Sequence, residues 1–385
     1  MSSPKNAAMQ PPSPSPAHKP RIPLVEALKR VPDFRVAGRV KFPLWEVLSI
    51  VVCSMICGGT SYYDHELFGK EKSAFLRRFL PLKNGTPSHD QFRYILRNLD
   101  PRRFNAALLD WTLGLVELAG DTLAIDGKTL RRAFGEDGRR PCVVSALSGR
   151  HQIVIAQVKA DEKSNEITAV PALLGMLLLE GCIVSIDAAG CQKGHVEKIV
   201  ERNGDYIISL KGNQSTMHDE IRAYMLDPKF RDSFAVASTV ECARGKVETR
   251  TCWQTGDLDW FEDRREWKGL RSACMVRNEI YHKKTGKTTE EVRFFISSLP
   301  VDPERALGAI RSHWGVEAMH WVLDMEFDED HSRARDGHSA ENLAMLRHLA
   351  INVLRADKSI FGGINRKRKE LTWNDGKLFR VVTSA

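Results

Sequence analysis

The sequence predicts an α/β fold behind a helical N-terminal region, and three observations carry this prediction. Apolar residues recur at helical spacing through residues 21–120. From residue 121, short β-rich runs and helical segments follow in the order β-β-β-α-β-α-β. Four further strand-like runs lie within 235–298. Three strands able to pair antiparallel, followed by alternating helices and strands, match a ribonuclease-H-like fold with a β-rich insertion at about 235–298.

The N-terminal region is predicted to be a helical domain that contacts DNA. A long apolar helix is expected over residues 43–57, where Gly58 and Gly59 end it. Shorter helices are expected around Leu24–Val31 and over about 66–79, 88–99 and 102–118. Residues 1–20 are rich in Pro and Ser and poor in bulky apolar side chains, which predicts a disordered tail.

The remaining elements are expected over residues 121–358, which we interpret as one catalytic domain. The predicted strands cover 123–126, 142–147, 152–158, 182–187, 206–210, 235–242, 247–254, 271–282 and 291–297. The predicted helices cover 168–180, 193–203, 303–325 and 339–356. The acidic residues 328–330 are expected in a solvated loop, and 359–385 in a basic C-terminal tail.

Composition narrows the class of protein without naming a function. The net charge of +8 favours a polyanionic partner, because each phosphate contact releases counterions, although many basic proteins bind no nucleic acid. No apolar run is long enough to cross a membrane, and no signal-peptide pattern opens the chain, so we expect a cytoplasmic protein. The eight cysteines form no C-x-x-C pair, which indicates reduced thiols.

Two predicted strands end in aspartate, at Asp126 and Asp187. In the predicted strand order these strands are neighbours, so both carboxylates would lie at adjacent strand ends. Each residue taken alone is more often a turn or cap residue. Together they indicate a site for Mg²⁺ or Mn²⁺, since both ions prefer hard oxygen ligands. Two such ions would stabilise the attacking and leaving oxygens of a phosphoryl displacement.

Glu317 is the candidate for a third carboxylate. On a helix, His313, Glu317, His320 and Asp324 share one face, and Trp314 and Trp321 share a neighbouring face. A helical glutamate is usually a solvated surface residue, and this spacing alone leaves that alternative open.

Several blocks of the sequence together resemble one family. They are NGTPSHDQF (84–92), LAIDGKTLR (123–131), DEKSNEITAVPALL (161–174), SIDAAGCQK (185–193), DYIISLKGNQ (205–214), HWGVEAMHWVLDMEFDEDHSRAR (313–335) and ENLAMLRHLAINVL (341–354). In this order they are similar to the DDE transposases of bacterial insertion sequences, in particular the group of H-repeat-associated proteins. The similarity spans about residues 21–380.

The resemblance implies an enzyme that cleaves and joins DNA. It implies that Asp126, Asp187 and Glu317 are catalytic and hold two divalent ions, Mg²⁺ or Mn²⁺. The expected partners are the terminal inverted repeats and target DNA, both double-stranded, and a bacterial nucleoid-associated location follows. Because two DNA ends must be held together, a homodimer or larger synaptic complex is also expected.

Eleven further side chains are predicted to contact DNA, and each has a structural alternative. Basic and amide groups near the two aspartates would contact phosphates or base edges, unless they are simply solvated. The histidines and tryptophans of the 303–325 helix would contact phosphate or stack on an unpaired base, unless they pack in the core. The set is Lys128, Arg131, Arg132, Lys193, Lys211, Asn213, Gln214, His313, Trp314, His320 and Trp321.

Departures from the family pattern keep two other functions open. The wider superfamily often has Tyr, Arg and Lys where this chain has Ile310, His313 and Asp324. In addition, Ala243 and Ala318 replace a His and an Asn that are common in the closer group. Only Ala243 and Ala318 leave room for the first alternative, a catalytically silent or domesticated DNA-binding protein, since relatives in the closer group also carry the other replacements. The other is a ribonuclease-H-like nuclease without strand transfer.

Overall fold

The computed structural model describes residues 21–134, 138–160, 166–243 and 245–384. The predicted tail at 1–20 lies outside these residues. Six helices precede the first strand: α1 (Leu24–Lys29), α2 (Leu44–Ile56), α3 (Tyr62–Glu71), α4 (Ser73–Leu76), α5 (His89–Asn98) and α6 (Pro101–Gly114).

Local sequence accounts for where these helices begin. Ser61 accepts the backbone N–H of Asp64, and the Asp64 carboxylate accepts the backbone N–H of Ser61, which caps α3 from both sides. Asp100 caps α6 in the same position and is followed by Pro101, whose ring favours the first helical turn. Helix α2 is buried along nearly its whole length, as its apolar sequence predicts.

Nine strands form one mixed sheet in the spatial order β3-β2-β1-β4-β5-β9-β8-β7-β6. Strands β1, β4 and β5 are parallel, and every other neighbouring pair is antiparallel. The bounds are β1 (Thr122–Thr129), β2 (Cys142–Ser148), β3 (Val154–Lys159), β4 (Ile183–Ile186), β5 (Asp205–Leu210), β6 (Ala235–Ala243), β7 (Lys246–Thr255), β8 (Ser272–His282) and β9 (Lys287–Ser297). The four strands expected in the insertion therefore extend the same sheet from its β5 side.

Seven more helices pack on the sheet and on the N-terminal helices. They are α7 (Glu166–Met176), α8 (Lys193–Glu201), α9 (Ser215–Leu226), α10 (Pro303–Phe327), α11 (Ser339–Ala356), α12 (Ile364–Trp373) and α13 (Asp375–Ser384). Helix α11 is buried along most of its length between the sheet and the N-terminal helices. One apolar core joins α1, α2, α5 and α6 to α10 and α11.

The expected basic C-terminal tail is wrong in this structure. Residues 364–384 form α12 and α13, whose apolar side chains Leu371, Leu378 and Val382 are buried in the core shared with the N-terminal helices. The basic composition misled the interpretation, because apolar residues at helical spacing lie between the charges.

Three further element bounds differ from expectation. The helix expected over 66–79 is two helices, since Lys72 leaves helical backbone angles between α3 and α4. Helix α7 ends at Met176, and the chain then turns so that the Gly181 N–H bonds to the Asn203 carbonyl. Strand β1 continues past Asp126 because its partner β2 is long enough to pair as far as Thr129.

Two expectations about the whole chain can be compared with the structure. Within the residues described, no helix is both long and apolar enough to cross a membrane. All eight cysteines are free thiols, and most are buried, as the absence of paired spacing predicted.

His65 makes the stability of the N-terminal helices depend on pH. The side chain is fully buried, its Nδ1 lies 3.0 Å from Ser54 Oγ, and its ring packs edge-on against Phe92. Burial lowers the pKa of His65 to about 3. In the unfolded chain this histidine binds a proton near pH 6.5, whereas in the folded chain it does so only near pH 3. The free energy of unfolding therefore decreases as the pH falls below 6.5.

We expect the stability advantage of wild type over His65→Gln to shrink as pH falls. The difference in free energy of unfolding between the two proteins should fall by up to about 1.4 kcal/mol per pH unit between pH 6.5 and 4.5. The reason is that one proton is bound only by the unfolded wild-type chain. Denaturant unfolding of both proteins at several pH values measures the difference, in which all other titrating groups cancel. A difference that stays constant between pH 7 and 4.5 would contradict a buried neutral imidazole.

Candidate active site at the carboxyl ends of the parallel strands

Asp126 and Asp187 occupy matching positions on neighbouring parallel strands. Ile125 of β1 pairs with Ile186 of β4, and each aspartate comes directly after its isoleucine. Neighbouring strands are about 4.8 Å apart, so the two carboxylates begin from adjacent backbone positions. Asp126 does not end its strand as expected, since it still pairs with Ser145 of β2. It does lie just past the end of the β1–β4 pairing, which preserves the predicted juxtaposition.

The chain immediately after each aspartate orients its carboxylate. Asp126 Oδ1 accepts the backbone N–H of Gly127 at 2.8 Å, and Asp187 Oδ1 accepts that of Gly190 at 3.1 Å. Both side chains are partly exposed. Two hard-oxygen carboxylates are thus held at one edge of the sheet and remain accessible, which is a donor set suited to a divalent cation.

The loop after Asp187 is braced by residues that follow β5. Asn213 Nδ2 donates to the Ala188 carbonyl at 2.5 Å, and Gln214 Nε2 donates to the Cys191 carbonyl at 3.0 Å. Both amides were predicted to contact DNA. Their contacts here are within the protein, and they hold the 188–191 loop against the short helical turn at Gly212–Gln214.

Helix α10 crosses the two strand ends and contacts both of them. Its residue His313 lies with Nδ1 3.1 Å from Ser185 Oγ of β4, and His320, two turns later, lies with Nδ1 3.8 Å from Asp126 Oδ2. Glu317 lies between these two histidines on the same helical face. The histidines therefore place the backbone of Glu317 beside the two aspartates.

Both histidines are neutral at physiological pH. Burial lowers the pKa of His313, although the nearby Asp187 carboxylate opposes the shift. Burial, helped by the positive charge of Lys128, lowers the pKa of His320 to about 4. The two imidazoles therefore add no positive charge beside the aspartates.

The inserted strands fix α10 from the other side. The guanidinium groups of Arg250 and Arg293 contact the Trp314 ring, 4.9 and 5.8 Å from its centroid. Arg311 forms an ion pair with Glu241 of β6. Trp314 is thus held by cation–π contacts within the protein. The sequence did not reveal these arginines, because their partners are distant along the chain.

Lys128, predicted to contact phosphate, is surrounded by carboxylates. Its Nζ lies 2.5 Å from Asp324, 3.2 Å from Asp330 and 3.5 Å from Glu329. Burial alone would lower the pKa of Lys128, but these acidic neighbours raise it above its usual value. Arg131 also contacts Asp330, at 3.2 Å. The sequence predicted a solvated acidic loop here, and that prediction is wrong for the fully buried Glu329.

The other predicted DNA-contacting side chains lie on the surface. Arg132, Lys193 and Lys211 are exposed, and Lys193 forms an ion pair with Glu266. Trp321 is 60% exposed, so the alternative that it packs in the core is wrong.

Glu317 lies on a helix that contacts the strands of both aspartates, but its carboxylate is not grouped with theirs. Glu317 is exposed on α10. Within the described parts of the chain, no three His, Cys, Asp or Glu side chains are grouped closely enough to enclose a metal ion. Asp126 and Asp187 fit the oxygen chemistry of Mg²⁺ or Mn²⁺. A site made of all three carboxylates would also need Glu317 beside these two.

Comparisons with known proteins identify the family. The family model described as Transposase DDE domain matches residues 118–353, and the DDE_Tnp_1-associated model matches residues 25–112. The chain belongs to the DDE transposase family of insertion sequences.

Full-length relatives agree with this assignment. The protein named "Putative transposase YncI" of Escherichia coli O157:H7 is 36% identical over 372 residues, covering 94% of each chain. The protein named "H repeat-associated putative transposase YhhI" of Escherichia coli K12 is 35% identical over 375 residues, covering 94% of this chain and 98% of its own. The resemblance inferred from the sequence motifs is confirmed.

A buried ion pair supports this site in the DDE transposase. Arg347 of α11 lies 3.6 Å from Glu329, and both side chains are almost completely buried. Removing the guanidinium would leave a buried carboxylate with only Lys128 nearby, and loss of one partner of a buried pair costs about 3–5 kcal/mol.

We expect Arg347→Met to lower the free energy of unfolding by about 3 kcal/mol, the lower end of that range, since Lys128 still partly neutralises Glu329. Adding Glu329→Gln should recover part of the loss, because the charge is then gone. Denaturant unfolding of Arg347→Met, Glu329→Gln, the double variant and wild type measures both effects. A double variant as unstable as the sum of its single variants would contradict the pairing.

Proposed function

We propose that this transposase cleaves phosphodiester bonds at the ends of an insertion sequence and joins the freed ends to target DNA. Asp126, Asp187 and Glu317 would hold two divalent ions, Mg²⁺ or Mn²⁺. The observation that carries the proposal is the matched position of the two aspartates on β1 and β4, with α10 anchored over them through His313 and His320.

The first five strands support a ribonuclease-H-like core. Their spatial order is β3-β2-β1-β4-β5, with β2 alone antiparallel to both of its neighbours and β1, β4 and β5 parallel. Catalytic groups in sheets of this kind are expected at the carboxyl ends of the parallel strands. Asp126 and Asp187 lie at that edge.

The proposed chemistry is two successive in-line displacements at phosphorus. In the first, water adds to phosphorus, and the 3′ oxygen leaves and takes up a proton. In the second, that 3′-hydroxyl attacks a target phosphodiester and displaces its 3′ oxygen. Divalent ions supply charge stabilisation for the attacking and leaving oxygens. Asp126 and Asp187 are positioned by Gly127 and Gly190, and Glu317 completes the set from α10.

The outer part of the insertion supports duplex DNA as the partner. We call residues 240–249 and 278–291 the tongue. Leu210, the last residue of β5, pairs with Phe294, and β9 begins seven residues earlier at Lys287. At about 3.4 Å per residue, the tongue projects roughly 24 Å beyond the edge that carries Asp126 and Asp187.

The tip of the tongue is basic. The two hairpin tips meet there, since Lys246 pairs with His282 and the Lys283 N–H donates to the Gly245 carbonyl. Lys246, Lys283, Lys284 and Lys287 are exposed, and none of them forms an ion pair with the residues described. Acidic side chains nearer the sheet are mostly neutralised by arginines, as in the pairs Glu248–Arg250 and Glu290–Arg277. This arrangement suits contact with the phosphate backbone.

Because both ends of an insertion sequence must be cut and joined together, the proposal includes a homodimer or larger assembly on DNA.

Substitution of each proposed ligand should abolish cleavage and leave DNA binding largely intact. Asp126→Asn, Asp187→Asn and Glu317→Gln keep the size of each side chain and remove its charge, which a divalent ion requires. Cleavage with Mg²⁺ of DNA carrying the terminal repeats measures the effect, and electrophoretic mobility shift measures binding.

Two exposed acidic residues away from the proposed site provide matched controls. Glu304→Gln changes an exposed glutamate in the first turn of α10, and Asp219→Asn changes an exposed aspartate of α9. Both should cleave like wild type. Substantial cleavage by any of the three ligand variants would reject that residue as a ligand, and no cleavage by wild type would favour the silent DNA-binding alternative. Nicking without joined products would favour the nuclease alternative.

Neutralising the tip of the tongue should weaken DNA binding in a salt-dependent way. Each phosphate contact contributes about 0.9 to the slope of log affinity against log salt concentration. Replacing Lys246, Lys283, Lys284 and Lys287 with glutamine should therefore reduce the slope by up to about 3.6. Binding to a random duplex at several salt concentrations measures it. The corresponding lysine-to-arginine variant should keep the wild-type slope, and an unchanged slope in the glutamine variant would show that the tip does not meet DNA.

A further inference from the structure

A large cleft separates the N-terminal helices from the segment that follows α10. Its volume is about 700 Å³, within the range of roughly 300–1,000 Å³ that is typical of small-ligand sites. Helices α3 and α5 form one wall, and residues 328–336 form the other. A duplex cannot enter a cavity of this size, whereas one or two nucleotides can.

One wall of the cleft carries an aromatic platform. The ring of Tyr63 stacks on His89 with centroids 4.2 Å apart and planes 23° from parallel. His89 is held from below, because both its backbone N–H and its Nδ1 lie 2.8 Å from Glu66 Oε2. Tyr63 is 67% exposed, so the ring face turned away from His89 remains open. An open aromatic face on a braced support is suited to stacking of a planar ring.

The opposite wall provides unpaired positive charge. Arg333 is exposed and forms no ion pair with the residues described. Arg335 lies over the Phe134 ring at 5.4 Å and lines the same cleft. A planar stacking face opposite guanidinium groups matches a nucleotide, which has a base to stack and a phosphate to pair.

Three carboxylates line the cleft, and one of them is paired with an arginine: Asp336 pairs with Arg93, whose Nε lies 2.6 Å away. Asp328 lies 2.6 Å from His331 Nδ1, and the exposed Asp90 lies 3.5 Å from His89 Nε2. On the wall opposite Tyr63, the exposed guanidinium groups of Arg333 and Arg335 are the positive charges that a phosphate could meet.

One segment of the chain, residues 328–331, lies between the cleft and the proposed active site. Asp328 and His331 line the cleft, while Glu329 and Asp330 between them turn the other way and contact Lys128. Lys128 lies two residues after Asp126 on β1, about 7 Å along the strand. A strand end leaving the catalytic edge would reach the cleft within a few nucleotides.

We propose that this cleft binds an unpaired nucleotide of the DNA, with its base on Tyr63 and its phosphate on Arg333. The inference rests on the proposed function, because it takes DNA as the partner. It adds a second DNA contact, specific for single-stranded DNA, beside the N-terminal helices.

The test compares two DNA probes with the full-length protein in the absence of divalent metal. One probe is a blunt hairpin duplex. The other is the same hairpin with a four-nucleotide overhang of three thymidines and one 2-aminopurine. The fluorescence of 2-aminopurine falls when its base stacks. Wild type should bind the overhang probe more tightly and quench it.

Tyr63→Ala should remove the preference for the overhang and the quenching, and leave blunt-duplex affinity unchanged. One base stack corresponds to roughly a 5- to 150-fold change in affinity. Tyr63→Phe should retain the preference, since stacking needs only the ring. Arg333→Gln should reduce overhang affinity and its salt dependence. Tyr94→Ala is the control, because Tyr94 is also half-exposed on α5 but does not line the cleft.

Four results would overturn the proposal. Equal wild-type affinity for both probes would reject the nucleotide site and leave the proposed function standing, whereas no binding of either probe would count against both. Equal weakening of both probes by Tyr63→Ala would indicate a duplex contact. A change in oligomeric state on Tyr63→Ala, measured by light scattering, would indicate that this face binds protein.

Discussion

The position of α10 across the sheet edge is the constraint on which the proposed chemistry depends. Asp126 and Asp187 are placed by strand register, but Glu317 can reach them only if α10 has one orientation. Contacts on two sides fix that orientation. His313 and His320 connect α10 to β4 and β1.

The inserted strands hold α10 from its other side. Arg250 and Arg293 contact the Trp314 ring, and Arg311 pairs with Glu241, so β6, β7 and β9 all contact the middle of α10. In the proposed function, the insertion would therefore do more than provide a surface for DNA. The strands that extend outward as the tongue also hold the helix that carries Glu317, so a displacement of the tongue by DNA would be transmitted to that helix.

Sequence reasoning worked best where one local pattern determined the outcome. The strands ending near Asp126 and Asp187 follow from apolar runs closed by a polar residue, and their parallel register brings the two aspartates together without any long-range side-chain contact. It failed where burial depends on distant partners. Glu329 reads as a solvated acid because nothing local reveals that Arg347 lies beneath it, and Lys128 reads as a phosphate ligand because Asp324 is nearly 200 residues away. The C-terminal helices were missed because their charges concealed a short apolar face.

The ion pairs around Lys128 connect several elements beside the proposed active site. Burying Glu329 and Arg347 together is tolerable only if each charge faces an opposite one, which ties the segment after α10 to α11 and to β1. That segment separates the carboxylate edge from the cleft of Tyr63 and Arg333, with Glu329 and Asp330 turned to Lys128 and Asp328 and His331 turned to the cleft. Its position therefore sets the distance between the proposed catalytic carboxylates and the proposed nucleotide site. The proposed function, in which a DNA end is held in register with two metal ions, requires that distance to stay constant, and a buried ion pair whose loss is strongly unfavourable would maintain it.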